Sequence, residues 1–185
     1  MEQVKQFKKY AYLALMFAPL VVSLFVVWFL PETIVSRMDL AGNVTATASR
    51  FSIFLFPILV AILGFGIRIA SSSPKLTGGN VRTARSISWI LLLLLNVIAY
   101  FQFWLYLGGM TAGAQMSRFI TFILGVFFIL IGNLAPKIKE NSKHFGFRAS
   151  WLKNNDAAFR KTQRFFGIAS VVAGVLMMLT GIFMG

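Results

Sequence analysis

The chain has 185 residues, 58% of them hydrophobic, against about 45–50% in ordinary soluble domains; the excess comes in long blocks, which excludes a soluble domain and indicates membrane spans. There is no cysteine, so disulfides, zinc–thiolate sites and thiol catalysis are excluded. The net charge of +13 raises nucleic acid as a partner, but the placement of that charge argues against it.

Five blocks reach the length needed to cross a bilayer, about 20 apolar residues with a lower limit near 17: residues 11–30, 51–70, 87–107, 119–135 and 165–183. The fourth is the shortest. A barrel would require short alternating strands instead. The expected fold class is therefore all-α: a polytopic integral membrane helical bundle of about five transmembrane helices. The expected organisation is a two-span unit over residues 1–86, with an outer loop at 31–50, followed by a second unit over 87–185 with a basic loop at 136–164.

The chain begins with a short polar tail containing Lys5, Lys8 and Lys9. A cleaved signal peptide usually has a hydrophobic region of about 7–15 residues followed promptly by small residues. Here the apolar run is longer, and the nearest small-x-small site, Ala46-Thr47-Ala48, lies far downstream. An uncleaved first span is expected. Pro31 suits its end, and Ala41-Gly42-Asn43 reads as a turn.

In the second block Pro57 can kink the helix, Gly64 and Gly66 permit close approach of another helix, and Arg68 can reach the headgroups. A loop with Pro74, Lys75, Gly78, Gly79, Arg82 and Arg85 follows. The third block carries Asn96 near its middle and Gln102 beyond it. Asn96 reads either as part of a ligand site or, preferably, as an interhelical hydrogen bond, because an unpaired polar side chain in hydrocarbon is costly. Trp104 and Tyr106 fit an interfacial aromatic belt. In the fifth block Gly167, Gly174 and Gly181 recur every seven residues with Ser170 beside them, a small-residue face of the kind that packs helices together.

Loop charge sets an orientation. Fifteen of the eighteen Lys and Arg residues fall on the side of the N-terminal tail, and three on the other. The positive-inside rule places the fifteen in the cytoplasm, with the N-terminus in and the C-terminus out. This accounts for the basicity without direct nucleic-acid binding, and it makes membrane lipids a partner through their anionic headgroups.

The long polar stretch at residues 132–167 carries eight of those cations. Asn154-Asn155-Asp156 is a good helix start, from which 157–164 can run as helix into the last span with Arg160 and Arg164 on one face. Trp151, Leu152 and Phe159 suit the membrane interface, and Gly146 allows a turn. The plainer reading is a basic anchor with interfacial aromatics. The ordered placement of Asn, Gly, Arg and Trp exceeds what anchoring requires.

This stretch resembles the SdpI family of bacterial membrane proteins. The resemblance is carried by Gly132-Asn133, Pro136-Lys137-Ile138-Lys139, Asn141, Phe145-Gly146-Phe147-Arg148, Trp151 and Lys161-Thr162-Gln163-Arg164. Ser150 stands where a proline often precedes the Trp, and Phe159 where a second Trp is common. Leu30-Pro31-Glu32-Thr33-Ile34 and Leu40-Ala41-Gly42 are similar to an N-terminal domain that often accompanies the family, with Val35 and Arg37 in place of a common Pro and His. The resemblance implies a toxin-immunity protein of the bacterial cytoplasmic membrane, protecting the cell from a secreted peptide toxin and in some members holding a cytoplasmic transcriptional repressor at the membrane. The implied partner-binding residues are Asn133, Pro136, Lys137, Lys139, Asn141, Phe145, Gly146, Arg148, Trp151, Phe159, Arg160, Lys161, Thr162 and Arg164.

An enzyme is not expected. The chain has one histidine and five acids, no acid deep in a span, and no phosphate-cradling or nucleophile motif. Glu140 and His144 could share a helix face, but a lone surface histidine is the commoner explanation. No metal or cofactor is expected. A small carrier or sensor is the alternative; ionisable residues near span centres would mark a transporter, and none occurs.

Overall fold

Long apolar runs bounded by polar ends form helices because a helix satisfies its own backbone in hydrocarbon. The computed structural model describes residues 2–38, 44–78, 80–107, 114–138 and 156–183. In chain order these form α1 (Glu2–Val26), β1 (Thr33–Met38), β2 (Val44–Ser49), α2 (Leu55–Ser72), α3 (Pro74–Thr77), α4 (Val81–Tyr106), α5 (Ala114–Leu134) and α6 (Asp156–Phe183). Short 3-10 turns occupy Val27–Phe29, Arg50–Phe54 and Ala135–Lys137. Among the described residues five segments are long and apolar enough to cross a membrane: Gln6–Phe29, Arg50–Ser72, Val81–Tyr106, Arg118–Lys137 and Asp156–Phe183.

The segments follow the five blocks, with differences at their ends. The fourth reaches 20 residues, because helix continues into the 3-10 turn at Ala135–Lys137. The third starts at Val81, so Arg82 and Arg85, read as loop residues, sit in the first turns of α4. The Asn80 carbonyl starts that helix by accepting from the Ala84 amide at 2.9 Å. The last span begins at Asp156, and the polar head 156–164 is continuous with it, giving 28 residues and a length of about 42 Å.

Residues 31–50 are not merely a loop. β1 and β2 pair antiparallel, with Thr33 opposite Ser49, Ile34 opposite Ala48 and Met38 opposite Val44, and irregularities flank Arg37. The Arg50 amide donates to the Glu32 carbonyl at 2.9 Å, closing the base of the hairpin. Ile34 is buried, Ala46 and Ala48 are half-buried, and Thr47 and Ser49 face outward. This alternation is the strand period.

The chain divides into two compact units. One comprises Met1–Phe65 and Leu92–Arg118 with Gly185; the other comprises Gly66–Leu91 and Phe119–Met184. The division falls within α2 and α4.

In the first unit Val27, Leu30, Ile34, Ile53 and Phe103 form a buried cluster, flanked by Val22, Val26, Phe54 and Tyr106. The hairpin is thus held to the ends of α1 and α4 by apolar packing. Deeper in the unit the Tyr12 hydroxyl donates to the Gly64 carbonyl at 3.0 Å. A Cβ built at Gly64 would lie 2.9 Å from Met16 Cγ and 3.3 Å from Leu92 Cδ1, so glycine lets α2 approach both neighbours.

In the second unit α3 ends at Gly78, whose φ of 55° suits glycine, and its amide donates back to the Pro74 carbonyl. Buried hydroxyls here turn back on their own segment: Thr77 to the Ser73 carbonyl at 2.9 Å and Ser88 to the Arg85 carbonyl at 2.8 Å. Such bonds satisfy a polar group without needing a neighbouring helix.

Candidate functional site

The basic stretch enters the described structure from both ends. Asn133, Pro136 and Lys137, at the end of α5 and the turn beyond it, are exposed. On α6, Arg160, Lys161 and Arg164 are exposed, Thr162 is half-buried and Phe159 is buried. Lys139, Asn141, Phe145, Gly146, Arg148 and Trp151 lie outside the described residues, as do Glu140, His144 and the helix-start residues Asn154 and Asn155.

Phe159 departs from the expected interfacial placement. At 1% exposed it is the largest of the fully buried side chains among the described residues. It heads a face made of Phe159, Gln163, Gly167, Ser170 and Gly174, all buried and spaced by three or four residues, which is one side of a helix. The ring is buried in the chain's own packing.

Two glycine pairs fasten α5 to α6. A Cβ added at Gly132 would stand 2.7 Å from the Gly167 carbonyl oxygen, and one at Gly167 would stand 2.7 Å from that of Gly132. The same reciprocity joins Gly125 and Gly174 at 2.6 Å. Two pairs seven residues apart, taken in opposite order along the chain, describe an antiparallel hairpin with backbones in direct contact. The glycines of α6 were legible as a packing face. Their partners Gly125 and Gly132 were missed, although their own seven-residue interval was the available signal.

The hairpin brings the first and last parts of the motif together. A Cβ at Gly167 would meet Pro136 Cγ and Cδ at 3.1 Å, and Ala135 beside that proline is buried. Pro136 and Gly167, some thirty residues apart in sequence, thus adjoin, and residues 139–155 connect two points held by packing. Lys137 lies exposed beside Pro136, and Arg160, Lys161 and Arg164 lie exposed on the first turns of α6, whose only acid is Asp156. The arrangement suits recognition of an anionic group.

The second singled-out position lies in the other unit. Asn96 is 3% exposed. Its Nδ2 donates to the Leu92 carbonyl at 2.9 Å within the same helix, not to another helix as expected. Its Oδ1 is buried and has no donor among the described residues. Gln102 likewise pairs locally, its Nε2 donating to the Tyr106 hydroxyl at 2.9 Å.

The model of the SdpI/YfhL protein family matches residues 137–185, which takes in the basic connection and all of α6. That of a domain of unknown function (DUF1648) matches residues 14–61, from α1 through the hairpin into α2. No curated protein and no solved structure matches the chain. Gly132, Asn133 and Pro136 fall just before the first match, while Gly167, which adjoins Gly132 and Pro136, falls inside it.

Proposed function

We propose that this multi-pass membrane protein, in which an SdpI/YfhL-family segment follows a DUF1648 domain, is an immunity protein of a bacterial cytoplasmic membrane. It protects the cell against a secreted antimicrobial peptide and acts by binding, without catalysis or a cofactor. The observation that carries this reading is the family match over residues 137–185, in a segment anchored where Gly167 packs on Gly132 and Pro136.

In this reading the N-terminus is cytoplasmic and the β-hairpin faces outward. Toxin on the outer side stabilises one packing of the helices over another. The connection between α5 and α6 is then offered differently to a cytoplasmic transcriptional repressor, a population shift between two sites. Lys137, Lys139, Arg148 and Trp151 are the residues we assign to that inner contact. Phe159 stabilises the base of the connection from within.

Survival under toxin challenge tests the reading. A sensitive bacterium expressing the chain is expected to survive peptide toxins from related strains, and Arg148→Ala and Trp151→Ala are expected to lose that protection at equal membrane abundance. Full protection by both variants overturns the site assignment; no protection by the intact protein against any toxin overturns immunity.

A small carrier or sensor is the second reading, favoured by the Oδ1 of Asn96 in the middle of α4, buried without a donor among the described residues. A dose-dependent peptide or lipid flux in liposomes, abolished by Asn96→Leu, would establish it in place of immunity.

A further inference from the structure

The exposed side of α6 changes character once along its length. Phe165 is 74% exposed and Ile168 65%, and Val172, Leu176 and Leu179 continue the exposed apolar row. This row lies opposite the buried face headed by Phe159. In a segment long and apolar enough to span a membrane, it is the side that meets acyl chains.

Lys161 stands four residues before Phe165, and Arg164 four before Ile168, so each lies one turn above an apolar residue of that row. Lys161 and Arg164 are three apart and therefore neighbours. Arg160 lies one turn above Arg164 at the edge of the row. All three are exposed. Their direction is fixed by the burial of Phe159 and Gln163, because a helix that buries those two turns 161 and 164 away from the chain's own packing.

We infer that Lys161 and Arg164, supported by Arg160, form a binding site for the phosphate of an anionic phospholipid headgroup, whose acyl chains lie along Phe165, Ile168 and Val172. Charge complementarity selects the headgroup: a guanidinium and an ammonium side by side suit a phosphate with no compensating cation. Continuity with the apolar row selects a lipid over a soluble anion, since the ligand must be polar at the level of residue 161 and hydrocarbon from residue 165 onward. The assignment separates α6 from the inner-partner contact proposed above and does not rest on it.

The test uses the full chain reconstituted in phosphatidylcholine vesicles with spin-labelled phosphatidylglycerol or spin-labelled phosphatidylcholine as probe. The fraction of immobilised label gives the selectivity between the two. The intact protein is expected to prefer phosphatidylglycerol. K161Q or R164Q is expected to lower the selectivity by about fivefold, the weight of one basic side chain at an anionic surface, and 1 M salt is expected to weaken it as well. Lys75→Gln removes the same charge from an exposed position on α3 and is expected to change little. Melting temperatures equal to that of the intact protein establish that the variants are folded.

Selectivity that falls no further in K161Q/R164Q than in K75Q overturns the site and leaves only the general field of the basic loops. Unchanged selectivity combined with lost toxin protection in K161Q/R164Q also overturns it, and assigns the basic head to a protein partner.

Discussion

A methyl group added at Gly125 would stand 2.6 Å from the Gly174 carbonyl oxygen and 2.9 Å from the Met178 amide nitrogen. Backbone cannot yield as a side chain can, so Gly125→Ala or Gly174→Ala must push α5 and α6 apart. A loss of about 1–3 kcal/mol is expected. At Gly64 the nearest atoms belong to the flexible Met16 side chain, so alanine there is expected to cost less. Gly66 has open space around it, and Gly66→Ala is expected to be neutral or mildly stabilising, because alanine favours helix. Melting temperatures in detergent rank the four variants, and a Gly66→Ala loss equal to that of Gly125→Ala would falsify the packing argument. Asn96 makes the opposite case. Its oxygen is buried without a donor among the described residues, a state that costs about 1–3 kcal/mol. Asn96→Leu removes that atom at similar volume and is expected to hold or raise the melting temperature. A marked drop would mean that the oxygen is satisfied in the membrane by a bound molecule.

Among the elements, the five spans were legible because length and apolar content suffice to define a helix in hydrocarbon. The hairpin was not. Thr33–Met38 and Val44–Ser49 are short and rich in Thr, Ser and Ala, so their alternation is faint, and they become strands by pairing and by resting Ile34 on the cluster with Val27, Leu30, Ile53 and Phe103. The glycine partners on α5 were hidden for a related reason: spacing on one helix marks a face, but only the fold says which face it meets. Phe159, an aromatic beside cations, resembles an interfacial residue in sequence, and only the phase of the whole helix turns it inward. Ile34 tests whether the hairpin is held as described. Ile34→Ala is expected to destabilise by about 2–5 kcal/mol, while Thr47→Ala on the outward side is expected to stay within about 0.5 kcal/mol. Equal effects would mean that the hairpin is not anchored through its buried side.

For the molecule as a whole, orientation decides what each face can meet. By the positive-inside rule, fifteen cations against three give the expectation that the N-terminal tail, α3 and the head of α6 face the cytoplasm and the hairpin the other side. The absence of cysteine from the sequence makes this directly measurable, since a single introduced thiol is the only one that can react. Gln3, Thr47 and Lys75 are exposed in the structure. In intact cells a membrane-impermeant maleimide is expected to label Thr47→Cys and to spare Gln3→Cys and Lys75→Cys, which become reactive only after permeabilisation. The three positions sample the tail, the hairpin and the α2–α4 connection, so they also test that α1 and α2 each cross the membrane once. The reverse pattern would invert the protein: the hairpin would face the cytoplasm, and the basic connection between α5 and α6 would face the outside, where it could meet a secreted peptide but not a repressor. Labelling of Thr47→Cys and Lys75→Cys from the same side would instead show that α2 does not span, leaving the exposed apolar surface of Leu55, Ile62 and Phe65 to find cover other than lipid.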